Sequence, residues 1–274
     1  MTDSDTKSAI RMILFSASFG GIGYLSFNNG LLLAYFSNLG IPSSNILILL
    51  SLLPLSQFVF IVPSSYLSDI YGKKFIGSIG LVFCIFGFLL LMNASFFSEY
   101  YIIWILGIGI VVFGTGTAMN IGSWFALIHP IIPENIRGRF FGNLRFTWQS
   151  VGFIFTLLCI YILEWHHTLG MYQAILGVIT FFIALRLIFY QLIPELEKSS
   201  TKKGTFRKSF LKVLTIPEYI PFCSYCFLLT LFTGACPQIF NLIEKDVIKM
   251  TKVDIVFIGN LLVLGALAGF FLGG

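Results

Sequence analysis

The stretch that decides the fold is SYLSDIYGKKFIG, residues 65–77, in which an acid, a glycine and two lysines lie between two long apolar runs. Ile46–Leu67 on its N-terminal side carries no charged residue, and Phe75–Phe97 on its C-terminal side carries none either. A helix that crosses the ~30 Å hydrocarbon layer of a membrane needs about 20 apolar residues. The short polar stretch is therefore predicted to be the turn between two membrane-spanning helices.

Apolar blocks of this length recur along the whole chain. The 274 residues are 57% hydrophobic and 11% charged, with a mean hydropathy of +0.92, whereas soluble domains carry about 25% charged residues. An outer-membrane barrel would instead show strands of about 10 residues with alternating polarity. The predicted fold class is therefore all-α, a polytopic membrane protein. Its eight predicted helices are Ile10–Phe36, Ile46–Leu67, Phe75–Phe97, Tyr100–Ile128, Phe140–Leu163, Leu169–Ile193, Ile220–Phe240 and Val253–Gly273.

The basic residues are distributed unevenly between the two ends of the predicted helices. If the N-terminus is cytoplasmic, 14 of the 17 Lys and Arg residues fall on the cytoplasmic side, and only Lys245, Lys249 and Lys252 fall outside. Cytoplasmic loops of membrane proteins carry an excess of Lys and Arg. We therefore expect a multi-pass protein of the plasma (inner) membrane with a cytoplasmic N-terminus. The net charge of +5 then reflects topology and contact with the lipid bilayer, and no nucleic-acid partner is expected.

A polar, basic segment divides the chain after the sixth helix. We predict an N-terminal six-helix transmembrane bundle over residues 1–193, a cytoplasmic basic linker over 194–216, and the first two helices of a second bundle over 217–274. Ser43 precedes helix 2 and Thr251 precedes helix 8, which suggests a repeat with an offset of 208 residues. The sequence then ends within a helix, so we expect the rest of the second bundle to be missing.

Two loop segments resemble motifs of the major facilitator superfamily, whose pattern between helices 2 and 3 is roughly G-x-L-a-D-r-x-G-r-k. Ser65 replaces the leading glycine of that pattern and Ile70 its first arginine. The segment PENIRGRFFG, residues 133–142, is similar to the P-E-x-x-R-G-r stretch that follows helix 4 in many members. The resemblance implies a carrier built from two helical bundles that works by alternating access. The residues that match the first pattern are Leu67, Ser68, Asp69, Gly72, Lys73 and Lys74.

The resemblance also implies a gating role for these loops. In the family, the acid at the position of Asp69 faces a helix end of the opposite bundle and helps to close the inner gate. Gly72 permits the sharp backbone turn that a two-helix hairpin needs. The alternative is a solvated turn that Lys73 and Lys74 alone keep on the inner face. The predicted gating residues are Asp69, Gly72, Lys73, Lys74, Arg137 and Arg139.

Polar side chains at membrane depth indicate where a substrate could bind, because they are costly there and usually face a bundle interior or a cavity. No acidic residue lies well inside helices 1–6. The resemblance implies that helices 1, 2, 4 and 5 line the central cavity and that helices 3 and 6 lie outside it. The predicted substrate-binding residues are Asn28, Asn29, Gln57, Asn120, Trp124, Arg145 and Gln149.

Helices 4 and 5 carry the clearest patterns among these candidates. A stripe of small residues on helix 4, Gly114, Ala118 and Gly122, is typical of a packing surface between membrane helices. That leaves the other stripe of helix 4, Thr117, Asn120 and Trp124, to face a cavity. On helix 5, Arg145 and Gln149 share one face with Gly152 and Thr156.

Each candidate also has a structural alternative. An amide can instead form an interhelical hydrogen bond worth about 0.6 kcal/mol. Arg145 can extend toward the cytoplasm along its apolar stem. If it faces the cavity with no acid beside it, an anionic substrate group is its natural partner.

The sequence favours a transporter of a small solute, with no substrate assigned beyond the organic anion that Arg145 suggests. We expect it to act as a monomer and to need no cofactor and no metal ion. The alternative is a non-transporting membrane sensor or partner subunit built on the same fold. A membrane-embedded enzyme is less favoured, because prolines interrupt the one acid–base pair, His129 and Glu134, and His166 with His167 are too few for a zinc site.

Overall fold

The computed structural model describes residues 3–166, 168–197, 215–217, 219–234 and 236–273, and every regular element in these ranges is helical. Most of the predicted linker, residues 198–214, lies outside the described residues. Two short 3₁₀ helices, Ala94–Phe96 and Glu134–Ile136, precede α5 and α6. The α-helices of these ranges are α1 (Asp3–Leu25), α2 (Leu31–Asn38), α3 (Ser43–Tyr71), α4 (Lys73–Asn93), α5 (Glu99–Ile128), α6 (Arg137–Trp165), α7 (Leu169–Leu192), α8 (Tyr219–Thr233), α9 (Cys236–Asp246) and α10 (Lys252–Gly273).

Seven of the described helices are long and apolar enough to cross a membrane, namely α1, α3, α4, α5, α6, α7 and α10. The bounds of α3 to α7 agree with the predicted blocks to within a few residues. The prediction of an all-α polytopic membrane protein is therefore confirmed.

The first predicted block is not one helix, so the prediction of a single span over Ile10–Phe36 is wrong. α1 ends at Leu25, and α2 begins only at Leu31. Between them Gly30 has a φ of +80°, a conformation that glycine adopts readily. The Asn29 side chain then accepts a hydrogen bond from the backbone N–H of Leu31 at 3.2 Å. These two residues end one helix and begin the next without leaving the apolar block.

The seventh predicted block, Ile220–Phe240, is also divided into two helices, α8 and α9. The backbone N–H of Gly234 still donates to the carbonyl of Thr230 at 2.7 Å, but the next helix begins at Cys236. Pro237 lies in the first turn of α9, where a missing N–H is tolerated because that group has no helical partner. Neither half is long enough to count among the seven spans.

The two breaks lie at matching positions of the predicted repeat. α2 ends at Asn38 and α9 at Asp246, 208 positions apart. α3 then begins at Ser43 and α10 at Lys252, 209 positions apart. A broken helix followed by a long helix thus occurs twice in the described chain, at nearly the spacing that the sequence indicates.

α4 and α5 pack closely because glycines face each other across the contact. A Cβ added to Gly80 would lie 2.5 Å from the backbone oxygen of Gly116. One added to Gly87 would lie 2.7 Å from the backbone oxygen of Gly109. Real Cβ atoms do not come this close to backbone, so the approach of the two helices requires glycine.

Predicted helix 4 corresponds to α5, and its stripe of small residues lies in the contact between α5 and α3. A Cβ on Gly114 would lie 2.7 Å from the Cβ of Ser56, and one on Gly122 would lie 2.6 Å from the Oγ of Ser65. Ala118, between the two glycines, is fully buried. The prediction of a packing surface is therefore confirmed.

The helices have two ends, which we name by their charge. The basic end is the end at which Lys73, Lys74, Arg137 and Arg139 begin α4 and α6. The far end is the opposite one, where α2 is followed by α3 and α9 is followed by α10.

At the far end, the second part of the chain contacts the first. The Ser43 hydroxyl donates to Asp246 Oδ1 at 3.0 Å, and Lys252 Nζ donates to Asn38 Oδ1 at 2.6 Å. Farther from this end, α10 packs against α6, where Asn260 Nδ2 donates to the carbonyl of Phe153 at 3.3 Å. Polar contacts therefore join the two parts of the described chain at the far end.

Candidate functional site

A cavity of about 350 Å³ lies among α1, α4, α5, α6 and α7. The depth of the cavity from the basic end can be estimated from two residues of its wall. Asn120 lies eight residues before the end of α5, and Arg186 lies six residues before the end of α7. At about 1.5 Å per residue, these side chains begin roughly 9–12 Å from the basic end. The volume lies within the range of small-molecule sites, about 300–1,000 Å³.

The charge of the cavity wall is entirely positive in the part of the chain that the structure describes. Arg145 and Arg186 line the wall, and no Asp or Glu does. The two arginines differ in exposure, because Arg145 is exposed whereas Arg186 is largely enclosed by neighbouring helices. The cavity therefore presents one cation within the bundle and another near the surface.

Neutral groups hold Arg186 in place. Its Nη2 donates to Asn120 Oδ1 at 2.5 Å, and its Cζ lies 5.8 Å from the centroid of the Trp124 ring, a cation–π distance. Its Nε is buried and has no hydrogen-bond partner among the described residues. The contacts orient the guanidinium without neutralising its charge.

Two adjacent glycines of α1 make room for the side chains that shape the cavity. A Cβ on Gly20 would overlap the Arg186 guanidinium, whose Nε would lie only 2.5 Å away. A Cβ on Gly21 would lie 2.5 Å from Cε3 of Trp148. Both contacts are shorter than real Cβ contacts, so the guanidinium and the indole occupy space that only glycine leaves.

The structure brings three of the predicted substrate-binding residues together on the cavity wall, namely Asn120, Trp124 and Arg145. The whole polar stripe predicted on helix 4, which is α5 in the structure, faces the cavity, because Thr117 lines the wall as well. Sequence reasoning missed Arg186, which counted only as a basic residue near a cytoplasmic helix end.

The third and sixth predicted helices, α4 and α7, also contribute to the cavity. Cys84 of α4 and Arg186 of α7 both line its wall. The expectation that these two helices lie outside the cavity is therefore wrong for this wall. The pair Gly20–Gly21 within an apolar helix was the signal that could have indicated a large side chain from a neighbouring helix at this point.

Two other predicted residues lie beside the cavity and not on its wall. Gln57 Nε2 donates to Thr117 Oγ1 at 3.0 Å and so joins α3 to α5, as the structural alternative expected. Gln149 lies one turn after Arg145, and its Oε1 is buried with no hydrogen-bond partner among the described residues.

Asn28 and Asn29 lie at the break between α1 and α2, where the two parts of the chain meet. Asn29 Nδ2 donates to Thr156 Oγ1 at 3.1 Å, and Gln238 Nε2 donates to Asn28 Oδ1 at 3.2 Å. A Cβ on Gly259 would lie 2.6 Å from the backbone oxygen of Asn29, so the backbone of α10 is in close contact with the backbone of the break between α1 and α2. These asparagines belong to the contact with α9 and α10 and do not line the cavity.

The turn between α3 and α4 has the geometry expected from its sequence. Gly72 has a φ of +105°, in the region that favours glycine. Asp69 is exposed in the last turn of α3, where the helix dipole disfavours a negative charge. Its carboxylate makes no hydrogen bond or ion pair with any of the described residues. The acid is therefore not explained by local contacts.

The segment after α7 contacts this turn through two glutamates. Glu195 Oε1 accepts the backbone N–H of Lys73 at 2.7 Å and that of Lys74 at 3.4 Å, at the N-terminus of α4. Glu197 Oε2 accepts a hydrogen bond from Lys73 Nζ at 2.5 Å. This hydrogen bond, together with the lysine charge, lowers the pKa of the Glu197 carboxyl below its usual value.

The two arginines of the predicted gating set lie at the start of α6. Arg137 Nη2 donates to the carbonyl of Ile132 at 3.4 Å, and its Nη1 lies 3.9 Å from Glu134 Oε1. Arg139 is exposed. Arg137 therefore stabilises its own loop in this conformation.

The family is established by comparison of sequences. Residues 13–274 match the model of the Major Facilitator Superfamily, and the chain belongs to this family. The resemblance of its two loop motifs to this family is therefore confirmed. Comparison with curated proteins gave no match.

Solved structures show the same fold. A crystal structure of a POT family transporter in complex with 5-aminolevulinic acid aligns with a TM-score of 0.55 and 14% identity, over 85% of this chain and 50% of that chain. A crystal structure of a POT family transporter in complex with a thioalcohol conjugated peptide aligns with a TM-score of 0.54, at the same identity and coverage. This chain thus spans about half the length of those transporters.

Proposed function

We propose that the chain belongs to a carrier for a small organic anion, which exposes the cavity to the two sides of the membrane in turn. The observation that supports this function is a cavity lined by two arginines and, among the described residues, by no carboxylate. A charged side chain at membrane depth costs about 2.5–3.5 kcal/mol or more and is found facing a cavity or an ion path. Guanidinium groups bind carboxylates and phosphates through parallel N–H donors.

The two arginines have different proposed roles. Arg186 binds the anionic group of the solute inside the bundle, and Asn120 and Trp124 position its guanidinium. Arg145, which is exposed, attracts the anion to the cavity. Guanidinium carries five N–H donors, and the bond to Asn120 uses only one of them.

The gating residues support the alternating step. Asp69, exposed and without a local partner among the described residues, is proposed to contact a helix end outside this part of the fold when the basic end closes. Gly72 sets the turn, and Lys73 is fixed by Glu195 and Glu197. Arg137 and Arg139 are proposed to act at the second loop of the same end.

The test is transport by the full-length protein in proteoliposomes, measured as counterflow of carboxylates and phosphates. Because bonds to a charged group contribute about 1.5–3 kcal/mol, Arg186→Ala should reduce uptake at least tenfold. Arg186→Lys should retain part of the activity, since it keeps the charge but loses the planar donors. The control is Arg11→Ala, an exposed basic residue of α1, which should leave uptake unchanged.

Two results would contradict the proposal. One is unchanged kinetics in Arg186→Ala protein that folds normally, and the other is transport restricted to neutral or cationic solutes. Binding of carboxylates without any flux would instead favour a sensor or partner subunit.

The proposed orientation places the basic end and the N-terminus in the cytoplasm, because Lys and Arg are in excess there. Ser98→Cys, at the far end, should react with a membrane-impermeant maleimide added to intact cells. Asn135→Cys, in the loop before α6, should react only after the cells are opened; both positions are exposed. The reverse pattern would refute the orientation.

A further inference from the structure

Aromatic side chains form much of the cavity wall around Arg186. They come from α1, α5 and α6, and the Phe125 and Phe141 rings lie 6.0 Å apart at the exposed side of the cavity. Trp124 lies against the guanidinium, and Trp148 packs on the surface of Gly21. The aromatic residues of the wall are Tyr24, Phe113, Trp124, Phe125, Phe141 and Trp148.

The buried neutral polar groups of the wall are already bonded within the protein. Asn120 Oδ1 accepts from Arg186, and its Nδ2 donates to the carbonyl of Gly77 at 3.4 Å. The Thr117 hydroxyl donates to the carbonyl of Gly114 at 2.9 Å. A solute rich in hydroxyl groups would leave some of them without partners, which is unfavourable in a buried site. The wall is therefore suited to an anion with an apolar body.

The positions of the two arginines indicate a single charge on that anion. Arg186 is the cation enclosed by the bundle, whereas Arg145 lies at the exposed side of the cavity. Trp124 is 8% exposed, and its ring already lies against the Arg186 guanidinium at 5.8 Å and the Tyr190 ring at 6.0 Å. Trp148 is only partly buried on the same wall. A flat apolar ring beside a carboxylate would match this arrangement of one charge and one available ring face.

We propose that the cavity selects aromatic monocarboxylates, with Arg186 binding the carboxylate while Trp148 packs against the aromatic ring. This inference rests on the proposed function as an anion carrier and specifies its substrate class. Ring-on-ring contacts add affinity beyond the apolar area that they bury. An aromatic acid should therefore bind more tightly than a saturated acid of the same size.

The experiment compares three probes of nearly equal size on the full-length protein in lipid nanodiscs. Benzoate carries both ring and charge, cyclohexanecarboxylate carries only the charge, and benzamide carries only the ring. Isothermal titration calorimetry should show benzoate binding roughly three- to tenfold more tightly than cyclohexanecarboxylate. Benzamide should bind at least tenfold more weakly than benzoate, because it does not use the guanidinium charge.

A matched pair of variants locates the effect. Trp148→Leu should bring the affinities for benzoate and cyclohexanecarboxylate within about twofold of each other. The control is Trp165→Leu, at the exposed far end of the same helix, which should keep the full difference. Trp124 and Trp148 are two of the four tryptophans, so benzoate should also change the intrinsic fluorescence of the protein.

The outcomes separate the two proposals. Equal affinity for benzoate and cyclohexanecarboxylate, with both lost in Arg186→Ala, would overturn the aromatic selectivity and leave the anion carrier standing. Failure of the wild-type protein to bind or transport any carboxylate would overturn both.

Discussion

The position of the Arg186 side chain depends on the absence of a side chain at Gly20 of α1. The guanidinium lies against the Cα of Gly20, in the space that a side chain would fill, and its Nη2 is held by Asn120. The position of the guanidinium therefore depends on the absence of a side chain at Gly20 as well as on its bond to Asn120. In the same way, the indole of Trp148 occupies the space that a side chain at Gly21 would fill.

We predict that Gly20→Ala lowers solute affinity at least tenfold. The added methyl group would overlap the guanidinium, which must then leave Asn120 and Trp124. Uptake by the full-length protein in proteoliposomes measures the effect. Gly170→Ala is the control, because nothing lies within 4 Å of a Cβ at that position. If both variants transport alike, the position of Arg186 is not important for binding.

On helix 4, residues of the site could be predicted because a pattern distinguished two faces of the helix. Thr117, Asn120 and Trp124 repeat on one face of helix 4 beside a stripe of small residues, and all three line the cavity. Arg186 has no such pattern. A basic residue near a helix end can point to solvent or into the bundle, and the choice depends on the glycine that faces it from α1.

The helices differ in how well their bounds follow from sequence. α3 to α7 are continuous apolar blocks between charged or polar turns, and hydropathy alone predicts them. The breaks before α2 and α9 lie inside apolar blocks, where hydropathy does not change. They depend on the backbone conformation of Gly30 and on the first-turn position of Pro237, which a count of apolar residues does not detect.

The contact between α4 and α5 gives a prediction for stability. Gly80→Ala should lower the free energy of unfolding by about 1–3 kcal/mol, because its methyl group would overlap the backbone of Gly116. Thermal or denaturant unfolding in detergent measures this change. Gly142→Ala, with nothing within 4 Å, should be neutral or stabilising by up to about 1 kcal/mol. Equal stabilities would show that the two helices can separate at no cost.

The contact of Glu195 with the start of α4 gives a second prediction, for the stability of the first turn of that helix. Its carboxylate accepts the N–H groups of Lys73 and Lys74, which have no partners within the helix. Glu195→Ala should therefore weaken the first turn of α4 by about 0.5–2 kcal/mol. Faster amide hydrogen exchange over residues 73–76 would report it. Glu164→Ala, at the exposed far end of α6, should leave this exchange unchanged.

At the scale of the whole molecule, the proposed gating role of Asp69 can be given a magnitude. Its carboxylate is exposed at the unfavourable end of α3, without a partner among the described residues. A partly buried contact between an acid and a helix N-terminus contributes up to about 2 kcal/mol. That amount changes a two-state equilibrium by roughly 30-fold.

We therefore expect Asp69→Asn in the full-length protein to reduce transport strongly while membrane insertion and the amount of folded protein stay normal. Uptake in vesicles, normalised to the folded protein, measures the change. Glu164→Gln removes an exposed acid at the far end of α6, away from both loops of the basic end, and should have little effect. Uptake by Asp69→Asn equal to wild type would remove the gating role.

The family and the helical class could be predicted from sequence because two loop motifs and long apolar blocks are local features. The arrangement of the two parts of the chain could not be predicted in this way. The approach of Gly259 to Asn29 and the bond between Ser43 and Asp246 join residues more than 200 positions apart. Only the three-dimensional structure shows that these contacts join the two parts of the chain.

If the contacts at the far end also seal the cavity on that side in the full-length protein, they determine which compartment an inhibitor can act from. Under the proposed function, a bulky, impermeant aromatic acid supplied on the side of Ser43 and Asp246 would meet a barrier, whereas the same compound on the other side would find Arg145 exposed. Blockade from the two sides should then differ in onset, with immediate inhibition on one side and a delay on the other that reports how often the Ser43–Asp246 contact separates.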